Sequence, residues 1–507
     1  MAVLLGPILH FDDAGEDAWS FRVSVLATGE PPAFVAKDGG TLTARAAVAD
    51  FRDVGRGRLW QSRATAPRTA GGSVFTYAVD GVGEFDVRVP AKGTLPRVVF
   101  ASCAGWSEAG AMKSVASPDG LVEHLLRAQD DPQREFPHLM IGGGDQIYAD
   151  SLWHGEDDEL HDFSTASLAS QKAKRPSSRR RARLTRAWVD LYRRGWWGRD
   201  RRRFVRRKPM AEVVARVPGL YTWDDHELMD GWGSFPRQMM DNPVVQDAGH
   251  AAARCFRAFQ LGVDPTVARP HHFQAATLGD GVEVVLLDTR WQRTMDRILD
   301  EDQWRVFKDH LAAIRARYAG RPHHLLVVVA VPVVHARFPR SMHVLLDSHE
   351  LGDDLRDHWE HDSHLGERSR LVGALLHHAE AGRSVTLLSG DVHVASRAFI
   401  EAESGARVHQ VTSSGIVHPA PKWWEFLAIQ KLGDTAPRGG GGEPVTRFVD
   451  LTSRGPMLRA RNYVDIGFDA PRPDDARRRM WIRWFGEVGD GTGDVAALPR
   501  ELVVPLA

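Results

Sequence analysis

Four short apolar runs in this chain each end in residues that can hold a cation or move a proton. Val98-Val99-Phe100 leads into Ala101-Ser102-Cys103. Leu139-Met140-Ile141 passes through Gly142-Gly143-Gly144 into Asp145-Gln146-Ile147-Tyr148. Leu220-Tyr221-Thr222-Trp223 leads into Asp224-Asp225-His226-Glu227, and Val385-Thr386-Leu387-Leu388-Ser389 leads into Gly390-Asp391-Val392-His393. Ligands of open α/β sheets bind outside the carboxyl ends of the strands, so four strands ending this way are expected to converge on one place. Carboxylate, phenol, imidazole and thiolate gathered there describe a metal site.

Each residue has a plainer reading beside it. Asp145 follows glycines and could be a turn residue, but Tyr148 and the strand-end setting favour a ligand. Asp224 and Asp225 are adjacent, so along an extended segment only one, taken as Asp225, is expected to face the site. Asp391 and His393, two apart, are expected on one face of a strand, suited to contacting one centre. Read alone, Cys103 is a small buried hydrophobe, as is Cys255 in the apparent helix Ala251 to Phe259. Asp288-Thr289-Arg290 also ends a strand, and Arg290 is a candidate for reaching a phosphate, although a salt bridge is the commoner fate of such a residue. The same holds for Arg337 and Arg397. His335 follows the strand from Leu325, and Ser413-Ser414-Gly415 with His418 reads as site rim or as a simple turn.

Taken together, the Asp145, Asp225 and Asp391 clusters resemble the PhoD-like (alkaline phosphatase D) branch of the metallophosphoesterases. The cysteine in Phe100-Ala101-Ser102-Cys103 matches the one with which that branch opens its metal site, and the resemblance covers roughly residues 96 to 430. It implies a two-layered β-sheet sandwich flanked by helices, preceded by a β-sandwich and carrying a multinuclear metal centre. It implies that Asp145 bridges metals, that Cys103 and Tyr148 lie on a ferric side, and that Asp225, Asp391 and His393 complete the ligands. His226 would touch the substrate phosphate. Fe3+ with Ca2+ is the implied metal content, with Mn2+ or Zn2+ as alternatives. The chain lacks an Asp-x-His opening motif, which is the pattern of this branch.

The chemistry fits those roles. Phosphoryl transfer is mostly positioning and stabilisation of charge on the phosphoryl oxygens. Two cations about 3.5–4 Å apart can clamp attacking and leaving oxygens and activate a water or hydroxide. The expectation is a metal-dependent phosphoric mono- or diester hydrolase acting on a small phosphate ester or a nucleotide, with His226, Asp225 and Arg290 as catalytic residues.

The elements that must position these residues fall into two stretches. Residues 1–95 carry short β-prone runs (Trp19 to Leu26, Thr41 to Val48, Leu59 to Ala64, Val74 to Val79, Glu84 to Val89) between Gly, Pro and Asp turns. They predict an N-terminal all-β sandwich domain. Residues 96–507 alternate strands with helical patterns, such as Asp300 to Tyr318 and Glu367 to Ala381, which predicts an α/β catalytic domain. Ser117 and Pro118 suit the N-cap and first position of a helix. An Arg-rich insertion near 172–208 interleaves Trp188, Tyr192, Trp196 and Trp197, and Pro437 to Gly442 reads as a flexible loop. The insertion reads first as a charged helix whose aromatics cap the core. The competing function, a non-catalytic polyanion- or nucleic-acid-binding protein with a vestigial metal site, would use that insertion.

At 507 residues the chain is long enough for more than one core. A formal net charge of -1 excludes a global field that would select nucleic acid or a membrane surface. Two cysteines exclude a disulfide framework. No apolar stretch approaches the ~20 residues that span a bilayer, and the first residues carry no basic, apolar leader; a cytoplasmic location with no membrane partner is expected. Gly142-Gly143-Gly144 lacks a following Gly-Lys-Ser/Thr, which argues against a P-loop, and no Gly-x-Ser-x-Gly elbow meets a strand end.

Overall fold

Alternating side chains along the central strands sort the molecule into layers. Val98 and Phe100 pack with Val284, Leu286, Leu326 and Val328, which belong to a second sheet. Their neighbours Val99 and Ala101 turn the other way, onto Leu121, Leu125, Trp188 and Phe256 of helices. In the second sheet Val285, Leu325 and Val327 turn onto Trp304, Phe307, Leu371 and Leu375 of two further helices. Period-two alternation with both faces apolar is what a sheet covered on both sides requires. The result is two sheets face to face with helices on their outer faces. The computed structural model describes residues 2–107, 110–128, 136–172, 174–198, 207–279, 281–337, 357–380, 383–440, 442–453, 455–469, 479–489, 491–499 and 501–503.

In the first sheet Val98–Ala101, Leu139–Gly143 and Gly219–Thr222 lie side by side and parallel, pairing Val99 with Met140 and Met140 with Gly219. In the second, Val282–Leu286, His324–Val328, Ser384–Ser389 and Arg407–Thr412 are parallel neighbours. The metal-type clusters therefore leave the same end of strands in both sheets.

The first 95 residues are all strand and turn, but they do not form a free-standing sandwich. Ala2–Ala14, which the sequence reading left without an assignment, runs parallel to Gly219–Thr222 with His10 opposite Gly219, and carries Ala18–Thr28 and Gly57–Pro67 beyond it. The N-terminal strands thus extend the first sheet, while Phe34–Asp38, Ser73–Val79 and Gly83–Val89 form a separate three-stranded sheet over it. Pro7 inside Ala2–Ala14 masks the strand, because proline removes a ladder donor.

Helix starts follow local capping. Asn242 and Asp300 side chains accept from Val244 N and Gln303 N, and Pro243 fills the first position of Pro243–Phe259. The helix expected from Ser117 begins later, as Gly120–Arg127. Gly120 there lies so close to Gly493 that a Cβ would come within 2.7 Å of it, a long-range packing demand no capping rule contains. Pro437 to Gly442 is not simply a loop: Arg438–Gly440 pairs with Glu443–Val449, with a register shift at the glycines.

Candidate metal centre

Five non-glycine residues among those described have left-handed backbones, and four of them are Cys103 (φ 51), Asp145 (φ 56), Asp391 (φ 64) and His393 (φ 54). This region costs an L residue roughly 1–2 kcal/mol, so it persists only where the surroundings enforce it and clusters at functional sites. The glycines beside them allow the close approach. A Cβ on Gly144 would meet Asp224 Cβ at 2.7 Å, and one on Gly390 would collide with Ser102 Oγ.

These loops bring carboxylates together. Oxygens of Asp145, Asp224, Asp225 and Asp391 lie within 4.8 Å of one another, and Asp145, Asp225 and His226 form an overlapping group. Cys103 Sγ is 3.5 Å from Asp145 Oδ2. Asp224 and Asp225 both reach the cluster, contrary to the expectation that only one would. The segment is not extended there: the strand ends at Thr222, and Leu228 N and Met229 N both donate to Asp225 O, closing a turn that begins at Asp225. Asp391 and His393 likewise lie in a bend before the strand Ala395–Glu401, not on a strand face.

The first-sheet loops are locked from behind. Glu227 accepts from Asp145 N at 2.9 Å, Gln146 N at 2.7 Å, Asp224 N at 2.9 Å and Gln260 Nε2 at 3.0 Å. Indole N–H groups fix the same loops: Trp188 donates to Glu227 O at 2.8 Å, Trp196 to Gln146 O at 3.0 Å and Trp153 to Leu228 O at 3.0 Å. Trp188 and Trp196 come from the Arg-rich insertion, so its aromatics do pack inward. Arg180 and Arg181 pair with Asp247 at 2.6 and 2.5 Å, and Arg183 pairs with Asp157 and Glu159. The Arg201-Arg202-Arg203 cluster and Arg206 lie outside the described residues.

Arg290 is fully buried beneath the carboxylates. Its guanidinium binds Asp224 and, at 2.6 Å, Asp357, while Nη2 lies 3.5 Å from Asp225. The arginine expected to reach a phosphate is thus committed to holding the acidic side chains. His226 Nδ1 meets Asp150 Oδ1 at 2.9 Å, and its ring stacks on Tyr148 with centroids 4.3 Å apart. Asp150 and the clamping role of Glu227 escaped the sequence reading. Asp150 follows Asp145 by five residues, and its turn-end position was the available signal.

The electrostatics are those of a site built for cations. Burial, together with Asp224, Asp225 and Glu227, pushes the Asp145 carboxyl well above its ordinary range, although His226 pulls the other way. Burial and Asp225 hold Asp224 up at about 6 against the pull of Arg290. Burial lifts Glu227 to about 7 despite its backbone donors. Burial and then the Asp224 and Asp225 charges raise Asp391 as well. Burial alone would lower His226, but Asp150, Asp145 and Asp225 outweigh it and keep the imidazole protonated. The fit to a cation has a direct sign in three buried atoms with no hydrogen-bond partner: Asp145 Oδ1, Asp224 Oδ2 and the Tyr148 hydroxyl. Buried polar atoms are seldom left so, and a hard cation would satisfy all three.

His393 is held beside Cys103 through Ser414, which accepts from His393 N at 2.9 Å and lies 3.2 Å from Cys103 Sγ. Other candidates fall elsewhere. His335 is buried against His358, ring centroids 5.0 Å apart, and belongs to neither carboxylate group. Arg337 lies 3.6 Å from Asp362 in a half-exposed ion pair, and Cys255 is core.

Residues 125–349 match the family model described as PhoD related phosphatase, which supports a PhoD-like phosphatase assignment for this chain. The matched stretch contains Asp145, Tyr148, Asp225, His226 and Arg290; Cys103, Asp391 and His393 lie outside it. The chain is also 24% identical to the uncharacterized protein YGR266W of Saccharomyces cerevisiae, over 63% of this chain and 53% of the yeast protein. It therefore spans about half the length of the curated relative it matches.

Proposed function

We propose, with the PhoD-like phosphatase assignment as premise, that this protein is a metal-dependent phosphoric ester hydrolase acting on small mono- or diesters. The observation that carries the reading is the meeting of Asp145, Asp224, Asp225 and Asp391 within 4.8 Å, with Asp145 and Asp391 in left-handed backbone conformations. Such a cluster repels itself unless protons or cations neutralise it, and Arg290 offsets it only in part. The layering of two sheets between helices supports a metallophosphoesterase sandwich.

Asp145 and Asp225 belong to both groups, and Asp145, whose equivalent the PhoD-like resemblance makes the bridge, would serve two cations. Asp225, Asp391 and Cys103 would complete the donors, with Tyr148 and His393 adjacent. Bound there, cations supply charge neutralisation for the phosphoryl oxygens and acidify a water. The remaining work falls to side chains. His226, kept protonated by Asp150, donates a hydrogen bond to a phosphoryl oxygen or a proton to the departing oxygen. Arg290 offsets the negative charge of the carboxylates from beneath and fixes their orientation. Among the described residues no helix is long and apolar enough to cross a membrane.

Purified protein reconstituted separately with Fe3+ plus Ca2+, Mn2+ or Zn2+ is expected to hydrolyse p-nitrophenyl phosphate or bis-p-nitrophenyl phosphate, with activity removed by a chelator. A protein that retains none of these metals and turns over neither ester overturns the reading.

A further inference from the structure

The turn from Ser413 to His418 is tied into the site at every step. Ser413 N donates to Ser389 O at 2.9 Å, Ile416 N to Ser102 O at 3.1 Å, and His418 N to Cys103 O at 3.0 Å. Asn462 secures it from below, accepting from Ser413 Oγ at 2.7 Å and donating to Ser414 O at 2.8 Å. The turn is therefore a fifth loop of the site, following the second-sheet strand Arg407–Thr412.

Two of its side chains touch residues of the metal-type clusters. Ser414 is completely buried and its hydroxyl sits between Cys103 Sγ, at 3.2 Å, and His393 N, at 2.9 Å. Donor accounting narrows where its proton goes. A hydroxyl has one proton to give and two lone pairs. Ser102, the other hydroxyl beside the sulphur, gives its proton to Ser413 O at 2.9 Å and so meets Cys103 only as an acceptor. Ser414 spends a lone pair on the His393 N–H, and its own proton faces Cys103 Sγ at 3.2 Å, nearer than the His393 Nδ1 at 3.4 Å. The His418 ring lies flat on His393, centroids 3.6 Å apart at 11°, and continues toward Tyr148 at 5.8 Å and 20°. With Tyr148 stacked on His226, four rings form one column along the site wall. His418 Nδ1 is 2.9 Å from Pro419 O, which fixes the ring's rotation.

We propose that Ser414 and His418 are positioning residues of this centre. Ser414 holds the Cys103 sulphur and His393 in a fixed relation by donating to one and accepting from the other, and His418 sets the tilt of the His393 ring by stacking. The inference rests on the metal-dependent hydrolase reading. Outer partners of metal ligands commonly carry about 10–100-fold in affinity or activity.

The test uses the full chain loaded with Co2+, whose thiolate charge-transfer band in the near ultraviolet reports sulphur coordination. Ser414→Ala is expected to weaken Co2+ binding in chelator competition by about tenfold or more and to shift or diminish that band. Ser414→Thr, which keeps the hydroxyl, is expected to restore both. His418→Ala is expected to lower kcat about tenfold on bis-p-nitrophenyl phosphate with little change in KM, and His418→Phe, which keeps the stack, to recover it. Should Ser414→Ala fail to fold, Ser414→Gly, which also removes the hydroxyl and adds no new ligand, reads the same loss. Wild-type affinity and band in Ser414→Ala overturns the proposal, as does a His418→Phe variant as impaired as His418→Ala. So does a wild type that binds Co2+ and turns over ester without a sulphur band, which leaves the hydrolase reading standing. A wild type with neither metal nor turnover removes both.

Discussion

The two halves of the site are held in different ways. Loops of the first sheet, bearing Asp145, Asp224 and Asp225, are gripped by a buried carboxylate, three indoles and a buried arginine. Loops of the second sheet, bearing Asp391 and His393, are held by hydroxyls, a carboxamide and flat ring contacts, and those two residues are partly exposed. Charged and indole partners make strong, directional holds in a dry interior, whereas hydroxyls and stacked rings contribute about 1 kcal/mol each. The first half is the more firmly held of the two, and the second rests on weaker contacts.

Breaking Asp145, one of the two residues the groups share, should do most. Asp145→Asn is expected to lower kcat/KM by about a thousandfold, near 4 kcal/mol of transition-state stabilisation, with loss of bound metal by elemental analysis. Glu227→Ala strikes the first half alone. It strands the N–H groups of Asp145, Gln146 and Asp224 and the Gln260 amide, and should cost about 3–5 kcal/mol in denaturant unfolding of metal-free protein. A much smaller loss would mean that the first half is not held as described.

An acid titration sharpens the contrast further. Asp288 supports the first half by accepting from Trp223 Nε1 at 2.8 Å and Arg290 N at 3.1 Å, beside His272 at 2.9 Å. Burial would raise its carboxyl, but His272, the Trp291 N–H and the Trp223 indole win and hold it at about 2. Its folded pKa is below the unfolded value, so its stabilisation is present above about pH 4 and lost as pH falls through about 2. Asp288→Asn should remove about 2 kcal/mol of that acid dependence, read from unfolding midpoints across pH. The smallest expected effect is Trp188→Phe, which keeps the packing and removes one N–H to Glu227 O. A loss of about 1 kcal/mol, seen in the melting temperature, fits.

The sequence made the donor types legible because each cluster is short and local. It also made the layering legible, since apolar runs such as Leu325 to Val331 alternate between two buried faces. Several other features lay beyond it. Glu227 meets Asp145 N across 82 residues and Trp196 meets Gln146 O across 50, and no local pattern encodes such pairings. Asp224 and Asp225 lie past the strand end at Thr222, where the chain enters a turn held by backbone hydrogen bonds at Asp225 O, so an extended-chain argument pointed the other way. The first strand was hidden by Pro7, and its central place in the sheet follows only from its partner Gly219–Thr222.

The handedness of the backbone at Cys103, Asp145, Asp391 and His393 sets an unusual substitution tolerance. At most buried positions glycine is among the more damaging replacements, yet here it alone relieves the torsional penalty. A saturation survey scored by protein abundance should therefore rank glycine above alanine at these four codons, while one scored by ester turnover accepts neither, and the divergence between the two maps would outline the centre without a ligand in sight.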